Sequence, residues 1–420
     1  MTGRPLPTVL VVLDGLADRA HAAFDGRTAN EVATTPVLDR LVSGGSVGLL
    51  HALGPGRAPS SELAHWAMLG YRDEEFCGRA ILEARGRAIP IVQGSVCAFA
   101  ALRSSERRDG VRWLTGRAGP EHEELSRTLI ARLAGIDRAV RVTDLGRGEA
   151  IAQFDDLTSP DVTDSESLHE AFHPMLAPLA LSDAGRASAA AFTDWTRQAH
   201  AAIAGTAFDS VTLKWPGVAR QLPPFDLRHG IAGPLIGGSP FLMGLAETLG
   251  LRPLLIPDTG DVGNDLRRRL ELAARSLAAG ATFALVHTKA PDEAGHTKSP
   301  ETKRATIERL DGVLASLEKA PFEGAIVCVT GDHATPACGA AIIHSGDPVP
   351  IVIRGPGVLQ DDVRAFGERA AAHGLLGRLT GSDLMPVLLN AAARPSFLGT
   401  RTVADRHAQG LALNPVPWLD

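Results

Sequence analysis

Carboxylate and imidazole side chains are clustered at three places in the second half of the chain. Asp292 and His296 are four residues apart, Asp332 and His333 are adjacent, and His344 follows eleven residues later. Because residues four apart face the same side of a helical turn, Asp292 and His296 can reach one ion. A hard to borderline divalent cation accepts carboxylate oxygen and imidazole nitrogen together. The pattern therefore predicts a site for divalent metal ions.

Two residues near the beginning of the chain complete this set. Asp14 follows the apolar run Thr8 to Leu13, and Ser61 follows a loop rich in glycine and proline at 54–59. Three carboxylates, three imidazoles and the Ser61 hydroxyl suffice for two ions, and two metals about 4 Å apart can activate a hydroxyl for displacement at phosphorus. The G-x-S-x-G context of serine triads does not surround Ser61. We therefore predict that Ser61 is a metal-activated nucleophile in phosphoryl transfer.

The apolar pattern indicates where these residues lie. The run Thr8 to Leu13 is typical of a buried parallel strand, so Asp14 stands at a carboxyl end. Ser61 precedes the periodic segment Leu63 to Leu69 and so starts a predicted helix, where backbone N–H groups favour anions. Alternating strands and helices predict an α/β fold with a doubly wound, mostly parallel sheet. The later strands are predicted at 210–215, 281–288, 325–330 and 349–353, and the helices at 240–250, 261–279 and 300–320.

The segment 85–206 differs from the rest of the chain. Short alternating strands at 96–102 and 149–154 stand between amphipathic or alanine-rich helices, which indicates an inserted α+β domain. The flanking segments 1–84 and 207–420 are predicted to form the metal-binding core. From Arg85 to Arg147 the chain has twelve arginines and no lysine. Both a solvated surface and a clamp for an anionic substrate fit that composition.

Composition restricts the function classes. A formal net charge of -6 over 420 residues argues against a general nucleic-acid binder. The four cysteines form no C-x-x-C pair, so a disulfide framework or thiolate metal site is not expected and a reducing cytoplasm fits. Apolar runs stay well below the ~20 residues of a membrane-spanning helix. We expect a cytoplasmic protein with a small-molecule partner, and neither a nucleic acid nor a membrane; the pattern does not indicate an oligomeric state.

Six motifs in the same order resemble the archaeal-type, cofactor-independent phosphoglycerate mutases of the alkaline phosphatase superfamily, and the resemblance extends over nearly the whole chain. It implies an alkaline-phosphatase-like core with an inserted, substrate-covering lid domain. The motifs are Leu13-Asp-Gly-Leu-Ala-Asp18, Ser61-Glu-Leu-Ala-His-Trp-Ala-Met-Leu-Gly-Tyr71, Gly78-Arg-Ala-Ile-Leu-Glu-Ala-Arg-Gly86, Pro291-Asp-Glu-Ala-Gly-His296, Gly331-Asp-His-Ala-Thr-Pro336 and His344-Ser-Gly-Asp-Pro-Val-Pro350.

The resemblance also implies roles for individual residues. Ser61 would carry the phosphoryl group between neighbouring hydroxyls, so that 2-phosphoglycerate and 3-phosphoglycerate, intermediates of glycolysis, are interconverted. Mn²⁺ is the expected metal, with Zn²⁺, Co²⁺ and Mg²⁺ as alternatives. One ion would be held by Asp292, His296 and His344, and the other by Asp14, Ser61, Asp332 and His333. The implied substrate contacts are Lys289, Arg79, Arg117 and Arg147.

Three segments depart from the family pattern, all on the substrate side. Where the family has Asp-Arg-x-Ala-Gly-Arg, this chain has Arg112-Trp-Leu-Thr-Gly-Arg117. A family segment with Asp-Pro-His is replaced by Ser165-Glu-Ser-Leu-His169, and the family's Arg-Gly-Ala-Gly is replaced by Lys214-Trp-Pro-Gly217. The alternative is therefore a metal-dependent phosphatase, phosphonate-processing enzyme or phosphotransferase acting on another phosphorylated metabolite in a specialised pathway. A third hypothesis, an inactive binding protein, is disfavoured because all seven implied ligand positions can bind metal.

Overall fold

A computed structural model describes residues 5–166, 173–339 and 343–395. The chain divides into two compact units, the first formed by Met1–Phe76 and Leu222–Asp420 and the second by Cys77–Gln221. His169, in one of the divergent segments, lies outside the described residues. None of the helices in the described ranges combines the length and apolar character that a membrane span needs.

The strands and helices have the following bounds. In chain order the strands are β1 (Thr8–Leu13), β2 (Gly45–His51), β3 (Val96–Arg108), β4 (Val111–Arg117), β5 (Val140–Gly146), β6 (Glu149–Phe154), β7 (His173–Pro174), β8 (Ser210–Val218), β9 (Pro234–Gly237), β10 (Arg252–Leu255), β11 (Phe283–Thr288), β12 (Ile326–Thr330), β13 (Val349–Arg354) and β14 (Gly377–Thr380). The α-helices are α1 (Ala29–Val32), α2 (Pro36–Ser43), α3 (Ser61–Met68), α4 (Arg79–Arg85), α5 (Glu123–Leu133), α6 (Arg186–Ala202), α7 (Phe225–His229), α8 (Pro240–Leu249), α9 (Val262–Ala278), α10 (Ala290–His296), α11 (Pro300–Leu314), α12 (Glu368–Ala371) and α13 (Gly381–Ala391).

The first unit is built on one large sheet. Its described strands follow the order β10-β9-β11-β1-β12-β13-β2-β14. Neighbouring strands are parallel, except that β13 is antiparallel to both β12 and β2. Every residue of β1 is buried, as expected for a central parallel strand covered on both faces. The predicted α/β fold with a mostly parallel sheet is therefore confirmed.

Helices pack on this sheet through regularly spaced apolar residues. In α9 the buried residues Leu266, Leu270, Ala273 and Leu277 recur every three or four positions, which places them on one face. The Asp261 side chain caps this helix by accepting a hydrogen bond from the Asn264 N–H. These side chains belong to the same apolar core as those of β1 and β12. The packing holds the strands whose carboxyl ends carry the candidate site.

The second unit contains an antiparallel sheet of its own. The described strands follow the order β5-β6-β3-β4-β7, and β8 pairs with β3. The prediction that 210–215 belongs to the parallel sheet is therefore wrong, because Ser210 to Val218 pairs antiparallel with β3. A short apolar run fits either sheet, and only long-range pairing selects its partner. This unit also contains α4 and so extends beyond the predicted insertion 85–206 on both sides.

Candidate metal centre

The candidate ligands follow the carboxyl ends of three neighbouring strands. β1 lies between β11 and β12 and is parallel to both, so the three carboxyl ends share one edge. Asp14 follows β1, and Asp332 follows β12 after Gly331. A Cβ at Gly331 would lie 2.8 Å from the Leu16 Cβ and 2.9 Å from the Leu13 carbonyl oxygen. Only glycine therefore lets the loop after β12 approach the end of β1 this closely.

One candidate group consists of Asp14, Asp332 and His333, each of which offers a ligand atom within 4.8 Å of the others. His333 Nε2 lies 3.3 Å from Asp14 Oδ1 and 3.4 Å from Asp332 Oδ2. The backbone N–H groups of Gly15 and His333 donate to Asp332 Oδ1, each at 3.0 Å. Ser61, the first residue of α3, has its Oγ 3.1 Å from His333 Nε2. The predicted nucleophile thus lies beside this group.

A second group consists of Asp292, His333 and His344, again with ligand atoms within 4.8 Å of one another. The Nε2 atoms of His296 and His344 lie 3.2 and 3.4 Å from the same oxygen, Asp292 Oδ1. His344 Nδ1 is 2.9 Å from the Pro59 carbonyl oxygen, so this nitrogen donates and Nε2 faces the carboxylate. The structure thus brings together all seven side chains that the sequence singles out, and His333 reaches both groups.

The electrostatics of the first group fit a bound cation. Asp14 and Asp332 are fully buried, and Asp14 Oδ1 and Asp332 Oδ2 lack a well-formed hydrogen bond to the described residues. Burial and the charge of Asp14 raise the pKa of Asp332 to about 7. Burial lowers the pKa of His333, but the charges of Asp332 and Asp14 outweigh it and raise that pKa to about 9. Buried carboxylate oxygens without donors are costly unless a positive charge compensates them, so this donor set suits a divalent ion.

Sequence reasoning does not identify three other polar residues at this centre. His287, at the end of β11, has its Nε2 3.0 Å from Asp14 Oδ2. His65 Nδ1 donates to the Ser61 carbonyl oxygen at 2.7 Å and lies 3.6 Å from Asp332 Oδ2. Thr335 donates to Asp292 Oδ1 at 2.6 Å. The spacing of His65, four residues after Ser61 on one helix face, is a local signal that could have found it.

These partners also affect protonation. Burial lowers the pKa values of His65 and His287, which favours their neutral forms. Burial alone would raise the pKa of Asp14, but the neighbouring His287 and His333 side chains hold that pKa well below its usual range. Asp292 behaves similarly: burial and the Asp14 charge oppose its ionisation, yet the neighbouring histidines keep its pKa below the usual range. Asp14 and Asp292 are therefore ionised at neutral pH.

The candidate substrate contacts are distributed over both units. In the first unit, Lys289 is 41% exposed, and its Nζ lies 3.7 Å from Asp292 Oδ2. In the second unit, Arg117 ends β4 and Arg147 lies in the turn between β5 and β6, both exposed. The Arg79 guanidinium, also in the second unit, lies over the Trp215 ring at 4.1 Å from its centroid. Lys289 therefore lies beside a candidate metal ligand, Asp292.

Comparison with known proteins identifies the family. The model of the Metalloenzyme superfamily matches residues 6–391. A protein of Methanoculleus marisnigri is 32% identical over 405 residues, which cover 91% of this chain and 96% of that protein. A protein of Methanopyrus kandleri is also 32% identical, over 95% of this chain and 99% of its own length. Both relatives are named 2,3-bisphosphoglycerate-independent phosphoglycerate mutase.

Solved structures agree with this result. The cofactor-independent phosphoglycerate mutase of Thermoplasma acidophilum aligns with a TM-score of 0.62 and 26% identity, over 92% of this chain and 100% of that one. A Pyrococcus horikoshii protein shares the fold, with a TM-score of 0.76 and 23% identity, over 94% of this chain and 100% of that one. The chain therefore belongs to the Metalloenzyme superfamily and, within it, to the cofactor-independent phosphoglycerate mutase family, and it is an enzyme of the phosphotransferase and isomerase class.

Proposed function

We propose that this enzyme interconverts 2-phosphoglycerate and 3-phosphoglycerate through a phosphoserine at Ser61. The observation that carries the proposal is the position of the Ser61 Oγ, 3.1 Å from His333 Nε2 beside buried Asp14 and Asp332. An ion held by Asp14, Asp332 and His333 would lie within reach of the Ser61 hydroxyl. The names of the relatives supply the substrate, since both are phosphoglycerate mutases.

The proposed ligands are drawn from the two groups of side chains, with Ser61 and His296 added. Divalent ions bound there would lower the pKa of the Ser61 hydroxyl and neutralise charge on the phosphoryl oxygens. Mn²⁺ is the proposed ion because both carboxylate and imidazole ligands are present, and Zn²⁺, Co²⁺ and Mg²⁺ are the alternatives. The proposed ligands are Asp292, His296 and His344 for one ion, and Asp14, Ser61, Asp332 and His333 for the other.

The protein's own groups then have defined tasks. Ser61 Oγ loses its proton and attacks phosphorus, the bond from phosphorus to the substrate oxygen breaks, and that oxygen takes up a proton. In the second half-reaction the neighbouring substrate hydroxyl loses its proton and attacks phosphorus, the bond from phosphorus to Ser61 Oγ breaks, and Oγ takes up a proton. Ser61 is the first residue of α3, whose N-terminal N–H groups favour a phosphoryl anion. Its residue surface is only 8% exposed, which limits water attack on the phosphoserine.

The substrate contacts belong to the same proposal. Lys289 would contact the phosphoryl group, since its ammonium lies beside Asp292 and its side chain is partly exposed. The second unit would cover the substrate and bind its carboxylate through arginines, because a planar guanidinium matches a carboxylate in bidentate geometry. The arginines proposed for this role are Arg79, Arg117 and Arg147. We place the enzyme in the cytoplasm, where phosphoglycerates are available as substrates.

A second candidate function is metal-dependent phosphoryl transfer to water or to another acceptor. The divergent segment Lys214-Trp-Pro-Gly217 favours it, because Lys214 is 3.3 Å from Glu166 and Trp215 adopts a positive φ of 53°. Burial lowers the pKa of Lys214, although the charge of Glu166 opposes that effect. A lysine engaged in this way differs from the arginine of the family pattern, and a changed substrate would account for the difference.

The fate of the phosphoryl group tests both functions. The metal-loaded protein is incubated with 3-phosphoglycerate, and phosphoenzyme, 2-phosphoglycerate and free phosphate are measured by mass spectrometry and coupled assays. We expect phosphoenzyme and 2-phosphoglycerate without matching phosphate release. Phosphate release without isomer formation would favour the second candidate.

Replacement of the nucleophile gives the first prediction. Ser61→Ala should abolish phosphoenzyme and lower activity by at least about 10³-fold, as expected for loss of a covalent nucleophile. Ser60→Ala is the matched control, because Ser60 precedes the helix and its side chain makes no capping hydrogen bond. A Ser61→Ala protein that still becomes phosphorylated would eliminate Ser61 as the nucleophile.

A further inference from the structure

The hydroxyl of Thr335 lies between the two groups of candidate ligands. Thr335 is fully buried, and its Oγ1 is 2.6 Å from Asp292 Oδ1 and 3.2 Å from His333 Nδ1. A hydroxyl has one hydrogen, and a carboxylate oxygen can only accept. Thr335 therefore donates to Asp292, and its oxygen accepts from His333 Nδ1–H.

This polarity determines which nitrogen of His333 can bind an ion. With the hydrogen on Nδ1, the neutral ring has its lone pair on Nε2, the nitrogen that faces Ser61, Asp14 and Asp332. Partners of this kind fix the tautomer and the ring orientation of metal-binding histidines. The same hydroxyl engages Asp292 Oδ1, the oxygen that faces His296 and His344. One side chain thus orients a ligand of each group.

The surrounding structure holds the Thr335 backbone on both sides. Its N–H donates to the Ala17 carbonyl oxygen at 3.1 Å. The fully buried Lys303 donates from Nζ to the carbonyl oxygens of Ala17 and Thr335, each at 2.7 Å. Lys303 therefore links the segment after β1 to the segment after β12.

Two glycines make room for Thr335. A Cβ at Gly15 would lie 2.6 Å from Thr335 Oγ1, and a Cβ at Gly295 would lie 2.4 Å from the Thr335 carbonyl oxygen. Separations this short are not tolerated, so both neighbours are glycine where Thr335 packs. The loop after β1, the loop after β12 and helix α10 therefore converge on this one residue.

We propose that Thr335 is a positioning residue that sets the tautomer of His333, orients Asp292 and so couples the two metal groups. The inference rests on the ligands of the proposed function and is independent of the substrate. Loss of an outer partner of this kind typically weakens metal binding by about 10–100-fold.

Two substitutions at Thr335 distinguish the effect of its hydroxyl on metal binding from the effect of its side-chain shape. Thr335→Val keeps the branched shape and removes the hydroxyl, whereas Thr335→Ser keeps the hydroxyl. Mn²⁺ dissociation constants of metal-free proteins are measured by titration calorimetry, and the visible absorption of bound Co²⁺ reports ligand geometry. We expect Thr335→Val to bind Mn²⁺ at least about tenfold more weakly and to change the Co²⁺ spectrum. Thr335→Ser should restore both towards the parent values.

Thr330→Val is the matched control, since it also removes a buried hydroxyl, one bonded to the Pro350 and Gly331 carbonyl oxygens. Melting temperatures of the metal-free proteins show whether each variant is folded. Parent-like Mn²⁺ binding by Thr335→Val would overturn this inference and leave the proposed metal centre unaffected. Equal weakening in Thr335→Val, Thr335→Ser and Thr330→Val would also overturn it. A parent protein that binds no Mn²⁺ would overturn the proposed metal centre together with the inference.

Discussion

At the scale of single residues, the candidate centre combines charges that the fold would not otherwise tolerate. Asp14 and Asp332 are buried carboxylates close to the same His333 ring. Burial and the negative charge of Asp14 raise the pKa of Asp332 to about 7. Burial lowers the pKa of His333, but the two carboxylate charges outweigh burial and raise that pKa to about 9. In the metal-free protein, protons therefore supply the positive charge that bound ions would replace.

Metal binding should consequently release protons. A raised pKa in the metal-free folded protein means that His333 keeps its proton until the pH rises through about 9, and Asp332 until about 7. Since a ligand atom must be deprotonated, Mn²⁺ affinity should rise by up to about tenfold per pH unit from pH 7 to pH 9, where His333 loses one proton, and more steeply below pH 7, where Asp332 also loses one. Calorimetric titration at pH 7.5 in buffers of different ionisation enthalpy counts the released protons, and we expect about one or more. A pH-independent affinity with no proton release would contradict this assignment.

At the scale of elements, the site depends on how three strands end. Val12 is paired with His287 of β11 on one side and with Thr330 of β12 on the other. The residues that follow these three strands therefore begin side by side at one edge of the sheet. Gly15 then turns the chain with a φ of +67°. The turn brings the Gly15 N–H to Asp332, which joins the ends of β1 and β12.

Gly15→Ala tests this turn against a glycine of similar backbone conformation. Its Cβ would lie 2.6 Å from the Asp292 Cα, whereas a Cβ at Gly26, with φ +77°, would meet nothing within 4 Å. Gly26→Ala should cost only the backbone strain, about 1–2 kcal/mol of unfolding free energy. Gly15→Ala should cost more than about 3 kcal/mol and weaken Mn²⁺ binding, because two backbone segments must separate. Denaturant unfolding and Mn²⁺ titration measure both effects, and equal losses in the two variants would refute the explanation.

At the scale of the whole molecule, the chain is divided between two units. All seven proposed metal ligands lie in the first unit, and the proposed arginines lie in the second. Within the second unit the chain enters and leaves at adjacent points, since a Cβ at Gly78 would lie 2.4 Å from the Gly217 Cα. Both residues lie near an end of the second unit, so a short linker is a suitable replacement for it.

Replacement of Cys77–Gln221 by a short glycine and serine linker tests whether metal binding and substrate binding belong to different units. Mn²⁺ binding should persist within about tenfold of the parent, because every proposed ligand remains. Mutase activity should fall by at least about 10³-fold, because substrate orientation and exclusion of water are lost. Mn²⁺ titration and the phosphoglycerate assay check the two outcomes. Retained mutase activity would show that the second unit is not the substrate lid.

Local pattern was enough to predict much of the first unit. The apolar run of β1, the start of α3 at Ser61 and the periodic face of α9 are properties of short segments. Each was predicted because a buried strand, a helix start and an amphipathic helix have signals within a few residues. The residues able to bind divalent ions were also predicted from the amino-acid sequence, because their side-chain types and spacing are local properties.

Tertiary structure alone decided how these pieces meet. The pairing of β8 with β3 and the antiparallel direction of β13 depend on strands distant in the chain. The hydrogen bond between Gly15 and Asp332 spans 317 residues of sequence, and the position of Thr335 between Asp292 and His333 depends on three converging segments. Local periodicity cannot predict such contacts, because these hydrogen bonds form only when the folded chain brings distant partners within bonding distance.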